Sequence, residues 1–139
     1  MTPSLRTSQR NGKDYAFCPF RHKWVRLTPE EQVRQRFLQL LTDRYGYPAS
    51  RIAVEAALPT GQRADAVVYD RQLRPAILIE FKAPSVAVTP ATLDQAAVYN
   101  RLLQVPLLVL HNGTQTVIAN VQEDNITFLT DLPQYGETD

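Results

Sequence analysis

Ala76-Ile77-Leu78-Ile79 is continuously apolar, is bounded by Pro75 and Pro84, and runs directly into Glu80-Phe81-Lys82. A short apolar run between two prolines reads as a strand buried on both faces, so the chain must supply a layer on either side of it. Continued to Lys82, the two-residue period of a strand puts Glu80 and Lys82 on one face and Phe81 on the other. Ionised side chains so close to a core are costly unless something pairs with them. A site that takes a cation and a phosphate would supply those partners. Asp65 lies in the preceding apolar stretch, Arg63–Tyr69, joined to the first by a short turn at 70–75. Antiparallel pairing would bring Asp65 near Glu80 and Lys82, and two carboxylates with an ammonium at one strand edge suit phosphodiester hydrolysis.

The rest of the chain is read around that run. With 139 residues it is expected to be one domain with a sizeable core. No apolar run approaches the roughly 20 residues that span a bilayer, and the N-terminus lacks a signal-peptide apolar region, so no membrane association is expected. The single cysteine, Cys18, excludes an internal disulfide and fits a reducing cytoplasm, the expected compartment. Cys18 and His22 are four apart without further zinc ligands, and both read as structural. His111, before Asn112-Gly113, is expected to have no metal role. A net charge of +1 argues against a strong non-specific nucleic-acid binder. The charge is unevenly placed, however: residues 1–51 hold ten Lys/Arg against four Asp/Glu, and residues 52–139 hold five against ten. The cluster Arg21, Lys23, Arg26, Arg34 and Arg36 is either a solvated face or a phosphate-contacting surface beside the acidic residues.

Residues 1–13 are polar and read as a flexible tail, 14–130 as the domain, and 131–139 as an acidic tail. Residues 14–27 alternate aromatic and charged side chains around Pro19, which suggests a short hairpin or an extended arm. Thr28-Pro29-Glu30-Glu31 is a helix start: an N-cap threonine, proline at the first position, and glutamate three residues after the cap. Val33, Phe37, Leu40 and Leu41 continue at helical spacing, and the helix should stop before Gly46-Tyr47-Pro48. Strands are expected at 51–58, 63–69 and 76–82, with connections too short for crossovers, hence an antiparallel meander. A second helix is expected at 90–104 with Thr89 as its cap. It is followed by an apolar strand at 106–111, parallel to 76–82. A hairpin turn at Asn112-Gly113 leads to a strand at 116–120 and a weak one at 125–129. The fold class is therefore α/β, a mixed sheet in the order α-β-β-β-α-β-β, flanked by helices.

That order, with Asp65 on the second strand and Glu80-Phe81-Lys82 on the third, resembles the restriction-endonuclease-like core of the PD-(D/E)XK nuclease superfamily. More closely, Leu27-Thr-Pro-Glu-Glu31, Val33-Arg34-Gln35, Arg63-Ala-Asp65 and Glu80-Phe-Lys-Ala-Pro84 resemble the N-terminal nuclease domain of type I restriction enzyme R subunits. Asp94-Gln95 with Tyr99-Asn100 matches as well, and Gln95-x-x-x-Tyr99 is similar to a helix motif of the RecB-like branch. The resemblance covers roughly residues 15–113. It implies a Mg²⁺- or Mn²⁺-dependent nuclease acting on DNA. The chain has no Gly-x-x-x-x-Gly-Lys-Ser/Thr phosphate loop, so no ATP-driven translocation is expected of it, and a protein partner would supply translocation or specificity. A homodimer is also compatible with it.

In that setting Asp65 and Glu80 are the expected metal ligands, since hard oxygens suit Mg²⁺ or Mn²⁺ better than zinc. The resemblance adds the backbone carbonyl of Phe81. Such an ion polarises a scissile phosphate and lowers the pKa of an attacking water, while Lys82 orients that water or neutralises charge on the phosphate. The competing reading is a cross-strand ion pair on a solvated sheet face. Glu31 is the favoured helix acid, by resemblance, although at the third helical position it would equally complete a capping box with Thr28. Glu30, which shares a face with Val33 and Phe37, competes with it. Gln95 and Tyr99, four apart on one helical face, either steady substrate phosphate or pack. Arg63 touches phosphate or pairs with Glu55. The alternative function is a non-catalytic nucleic-acid-binding or assembly module on the same fold.

Overall fold

The computed structural model describes residues 5–57, 63–93, 105–122 and 125–137. The apolar run lies near the middle of a six-stranded sheet, as strand β6 of a chain whose elements are β1 (Thr7–Arg10), β2 (Lys13–Cys18), β3 (Lys23–Arg26), α1 (Pro29–Tyr45), β4 (Ile52–Ala57), β5 (Arg63–Tyr69), β6 (Pro75–Phe81), β7 (Leu107–His111), β8 (Thr116–Gln122) and β9 (Asn125–Leu129). The large sheet runs β4-β5-β6-β7-β8-β9, and β1-β2-β3 form a separate small sheet. Neighbours in the large sheet are antiparallel except β6 and β7, which are parallel and register Ile77 with Leu107 and Phe81 with His111. A parallel pair needs a crossover, and the chain between 82 and 106 supplies it. Of the helix expected at 90–104, a 3₁₀ turn at Pro90–Thr92 is described, and residues 94–104 lie outside the described residues. At its start the side chain of Thr92 accepts the Thr89 N–H at 3.1 Å.

The two faces of β6 explain its composition. Ile77, Ile79 and Phe81 pack under α1 with Phe37, Leu38 and Leu41. Leu78 packs on the far side with Val67, Leu108 and Leu110, under Val88, Leu93 and Val105. Helix α1 begins as its sequence dictates: Thr28 is extended and its hydroxyl accepts the Glu31 N–H at 3.0 Å, and Pro29 sits where a missing N–H costs nothing. It ends at Gly46, whose φ of 80° reverses the chain, with the Tyr47 N–H on the Leu41 carbonyl at 3.1 Å. No helix among the described residues is long and apolar enough to cross a membrane.

The chain ends differ from the sequence expectation. Residues 7–10, read as part of a tail, form β1 and pair with β2 through the two-residue turn Asn11-Gly12, with φ of 52° and 76°. Asn-Gly is the favoured pair where both turn residues must have positive φ, so the signal was present. Residues 131–137, read as an acidic tail, fold back under α1. Leu132 is buried, the Tyr135 N–H donates to the Tyr45 carbonyl at 2.9 Å, and the Tyr47 and Tyr135 rings meet edge to face. The turn at Asn112-Gly113 is longer than two residues: β8 starts at Thr116, and the Asn112 side-chain oxygen accepts from the N–H groups of Thr114 and Gln115 at 3.0 and 2.7 Å.

Two substitutions separate capping from core burial in urea unfolding. Thr28→Ala is expected to cost about 1 kcal/mol, and Leu78→Ala, 1 % exposed, about 2–5 kcal/mol. Equal losses would contradict this division of the stabilising terms.

Candidate active site at the end of the central strand

The pairing of β5 with β6 runs from Tyr69 opposite Pro75, through a register shift before Val68 opposite Ile77, to Ala66 opposite Ile79, where it ends. The next position toward the N-terminus of β5 is Asp65. Its carboxylate accepts the backbone N–H of Phe81 at 2.7 Å, so a side chain satisfies an amide that the ladder has released. Ala64 and Ala66 would share a face in a regular strand, yet Ala64 packs with Leu78 and Ala66 packs under α1. The backbone therefore turns about Asp65. On the other side, β4 pairs Val54 with Ala66 and Ala56 with Ala64, and the residue between, Glu55, has a φ of 55°. A non-glycine residue held there costs on the order of 1–3 kcal/mol. Strain of this kind at a position facing Asp65 was not visible in the sequence.

Glu80 projects from the face of β6 that Leu78 occupies, one residue beyond the core. Burial pushes its carboxyl up to about 7, the Asp65 charge and a side-chain hydrogen bond with Asp65 push the same way, Glu30 adds to the rise, and only Lys82 opposes it. The charges of Asp65 and Lys82 thus both act on Glu80. Two carboxylates that act on each other, one half-buried, are eased by a proton or a cation. Among the described residues no group of three or more His, Cys, Asp or Glu converges. The donor set is therefore two hard oxygens without histidine or thiolate. That set fits Mg²⁺ or Mn²⁺, which commonly take one or two carboxylates and complete their shell with water and substrate phosphate.

The helix acids part ways. Glu31 is 5 % exposed, and its carboxylate accepts from Arg21, from Arg34 at 2.7 and 3.2 Å, and from Gln35 at 2.9 Å. Its backbone N–H meets Thr28, but its side chain does not close a capping box; it neutralises two guanidiniums that are themselves nearly buried. Glu55 completes the network, 3.5 Å from Arg21, 3.4 Å from Arg34 and 3.7 Å from Arg63. Glu30 is exposed and is the one whose charge reaches Glu80. The surface expected from Arg21, Lys23, Arg26, Arg34 and Arg36 is divided accordingly: Arg21 and Arg34 are consumed by the network, whereas Lys23, Arg26 and Arg36 are exposed. Arg63 pairs with Glu55 rather than standing free. Gln95 and Tyr99 lie outside the described residues. Cys18 is buried and accepts from Arg21 at 3.3 Å. His111 stacks on Phe37 at 4.5 Å, and burial pushes its imidazole down to about 4, so it is neutral near pH 7.

A family model described as the type I restriction enzyme R protein N-terminus (HSDR_N) matches residues 29–133, most of the chain. The match spans α1 and the whole large sheet and leaves β1, β2 and β3 outside it. No curated protein matches the chain.

The geometry of Glu80 has a measurable consequence. Its folded pKa of about 7 lies above the ordinary value of 4.5, so the folded state holds the proton more tightly. Stability from this group is full below the unfolded pKa and is lost as pH rises toward 7. Glu80→Gln, tested without divalent cations, is expected to stabilise the protein at pH 8 by about 2–3 kcal/mol and by under about 1 kcal/mol at pH 5. A pH-independent difference in denaturation midpoint would contradict the paired-carboxylate geometry. Glu31→Gln should instead cost roughly 3–5 kcal/mol across that range, since it leaves buried guanidiniums under-compensated; a neutral effect in the same unfolding experiment would refute the network's structural role.

Proposed function

The chain belongs to the family of the type I restriction enzyme R protein N-terminus, and on that premise we propose that it is a divalent-metal-dependent nuclease domain of restriction-endonuclease-like architecture acting on DNA. The observation that carries the proposal is the Asp65 carboxylate held on the Phe81 N–H at 2.7 Å where β5 leaves β6, with Glu80 and Lys82 on either side of Phe81. Family membership alone would be satisfied without that arrangement. Asp65, Glu80 and the Phe81 carbonyl would hold Mg²⁺ or Mn²⁺, which supplies positive charge for the scissile phosphate and its attacking water. The chain's own contribution is positional. Asp65 is anchored to the sheet through the Phe81 amide, which holds its carboxylate at the end of β6. Lys82 places an ammonium where negative charge grows as the water oxygen bonds to phosphorus and the ester oxygen departs.

Of the two helix acids, Glu30 is the one assigned to the site. Its carboxylate is exposed and its field reaches Glu80, whereas Glu31 is committed to Arg21 and Arg34. Gln95 and Tyr99 are assigned to substrate phosphate by their place in the sequence motif. A second reading, a non-catalytic DNA-binding or assembly module working with a protein partner, draws support from the absence, among the described residues, of three or more metal-ligating side chains in one group.

Cleavage of supercoiled plasmid with Mg²⁺ or Mn²⁺, beside calorimetric metal titration, separates the readings. Lys82→Ala is expected to lose roughly 10²–10³ in rate while keeping metal affinity, because an ammonium is not a ligand. Asp65→Ala and Glu80→Ala should weaken both. Wild-type protein that binds the ion and leaves the plasmid intact would favour the module; wild-type and all three variants cutting alike would remove the site assignment.

A further inference from the structure

The small N-terminal sheet lies outside the residues matched to the family, and its outer face has a composition of its own. Between positions 5 and 27 the chain carries six basic residues, Arg6, Arg10, Lys13, Arg21, Lys23 and Arg26, against the single acid Asp14. Arg21 is spent on Glu31 and Glu55. Three of the others are organised. The Arg6 guanidinium lies over the rings of Phe17 and Trp24 at 5.1 and 5.3 Å, Arg10 over Trp24 and Tyr15 at 5.2 and 5.8 Å, and Arg26 over Tyr15 at 5.8 Å. The register produces this arrangement: Phe17 stands opposite Trp24, Tyr15 opposite Arg26, and Arg6 and Arg10 are an even number of residues apart on the neighbouring stretch. All three arginines are exposed and all three rings half-buried. Ala16 and Cys18, which alternate with those rings along β2, are fully buried on the opposite face.

We propose that this arginine-on-aromatic face is a docking surface for the phosphate backbone of duplex DNA. A guanidinium held flat on a ring has lost much of its rotamer freedom before it binds, and its N–H edge remains free to reach a phosphate oxygen. The face carries three such groups, and residues 5–27 contribute one acid, Asp14, so the charge of this segment complements a polyanion. An arginine already lies over each ring, so a base would have to displace it to stack there. This distinguishes the face from a single-strand stacking platform and predicts backbone contacts without sequence preference. The turn after β2 also reaches the candidate site: Arg21 follows the last residue of β2 by three and contacts Glu55, whose register position faces Asp65. DNA seated on the face is thereby led toward the carboxylate pair. The inference depends on DNA being the substrate of the proposed nuclease, but it places binding and cleavage on different residues.

Fluorescence anisotropy of a labelled duplex, titrated with the full chain over a range of salt and with Ca²⁺ in place of Mg²⁺, tests it. Each phosphate contact contributes about −0.9 to the log–log salt slope on duplex DNA. Replacing Arg6, Arg10 and Arg26 together by alanine should flatten the slope by about 2–3, and the triple lysine variant should keep most of it. Arg44→Ala, beyond the far end of the large core, should leave it unchanged. If the triple alanine variant fails to fold, each single Arg→Gln variant should flatten the slope by about 0.9. An unchanged slope in the folded triple variant, tighter binding to single strands than to duplex, or binding only to anionic vesicles would overturn the proposal. Wild-type cleavage with Mg²⁺ is scored separately. Cleavage with an unchanged slope sinks this surface and spares the nuclease, whereas a flattened slope without wild-type cleavage does the reverse.

Discussion

Where β5 ceases to pair with β6, the amide of Phe81 would lose its partner at the edge of a buried strand, and the carboxylate of Asp65 takes it up at 2.7 Å. A backbone donor left unsatisfied there would cost on the order of 1–3 kcal/mol. The bond therefore keeps β6 in register up to its last residue while the two strands part. Glu80 and Lys82 flank Phe81 at that strand end, half-buried rather than in the core. A backbone carbonyl in the place of Asp65 would close the sheet and leave Glu80 with no oxygen partner. The same carboxylate that completes the sheet also raises its neighbour's proton affinity, so fold and site share one residue.

A second set of charges serves the architecture. Glu31, buried with Arg21 and Arg34, joins the start of α1 to the small sheet, and Glu55 extends the network to β4. Buried ion pairs gain little over apolar packing, because desolvation offsets most of their attraction. What such a network does provide here is direction, since guanidinium geometry admits few arrangements of the three elements. It also explains why two adjacent glutamates at a helix start have different fates. A helical step of about 100° per residue turns Glu31 toward the guanidiniums and leaves Glu30 exposed.

The sequence and the structure agree most closely where pattern and chemistry act over a few residues. The helix start at Thr28, the stop at Gly46, the three-strand meander, and the parallel strand after the crossover follow from capping, φ constraints and apolar runs. Agreement fails at the ends. β1 was concealed by a polar composition, although Asn11-Gly12 marked its turn, and residues 131–137 looked like a tail because Leu132 and Tyr135 are isolated among polar neighbours. Their burial depends on Tyr45 and Tyr47, more than eighty residues away in sequence.

By itself the sequence determined that Glu80 ends a doubly buried strand on the face opposite Phe81, because a period of two leaves no other choice. It also placed Asp65 within reach through a short antiparallel connection. Tertiary structure decided what each charge does. Which glutamate of α1 meets the arginines, whether Arg21 and Arg34 remain free, how far Glu80 is desolvated, and that Glu55 takes a left-handed conformation opposite Asp65 all depend on groups brought together from distant parts of the chain. Periodicity is a property of neighbours along the backbone, whereas electrostatic pairing depends on separation in space and on the water excluded between the partners.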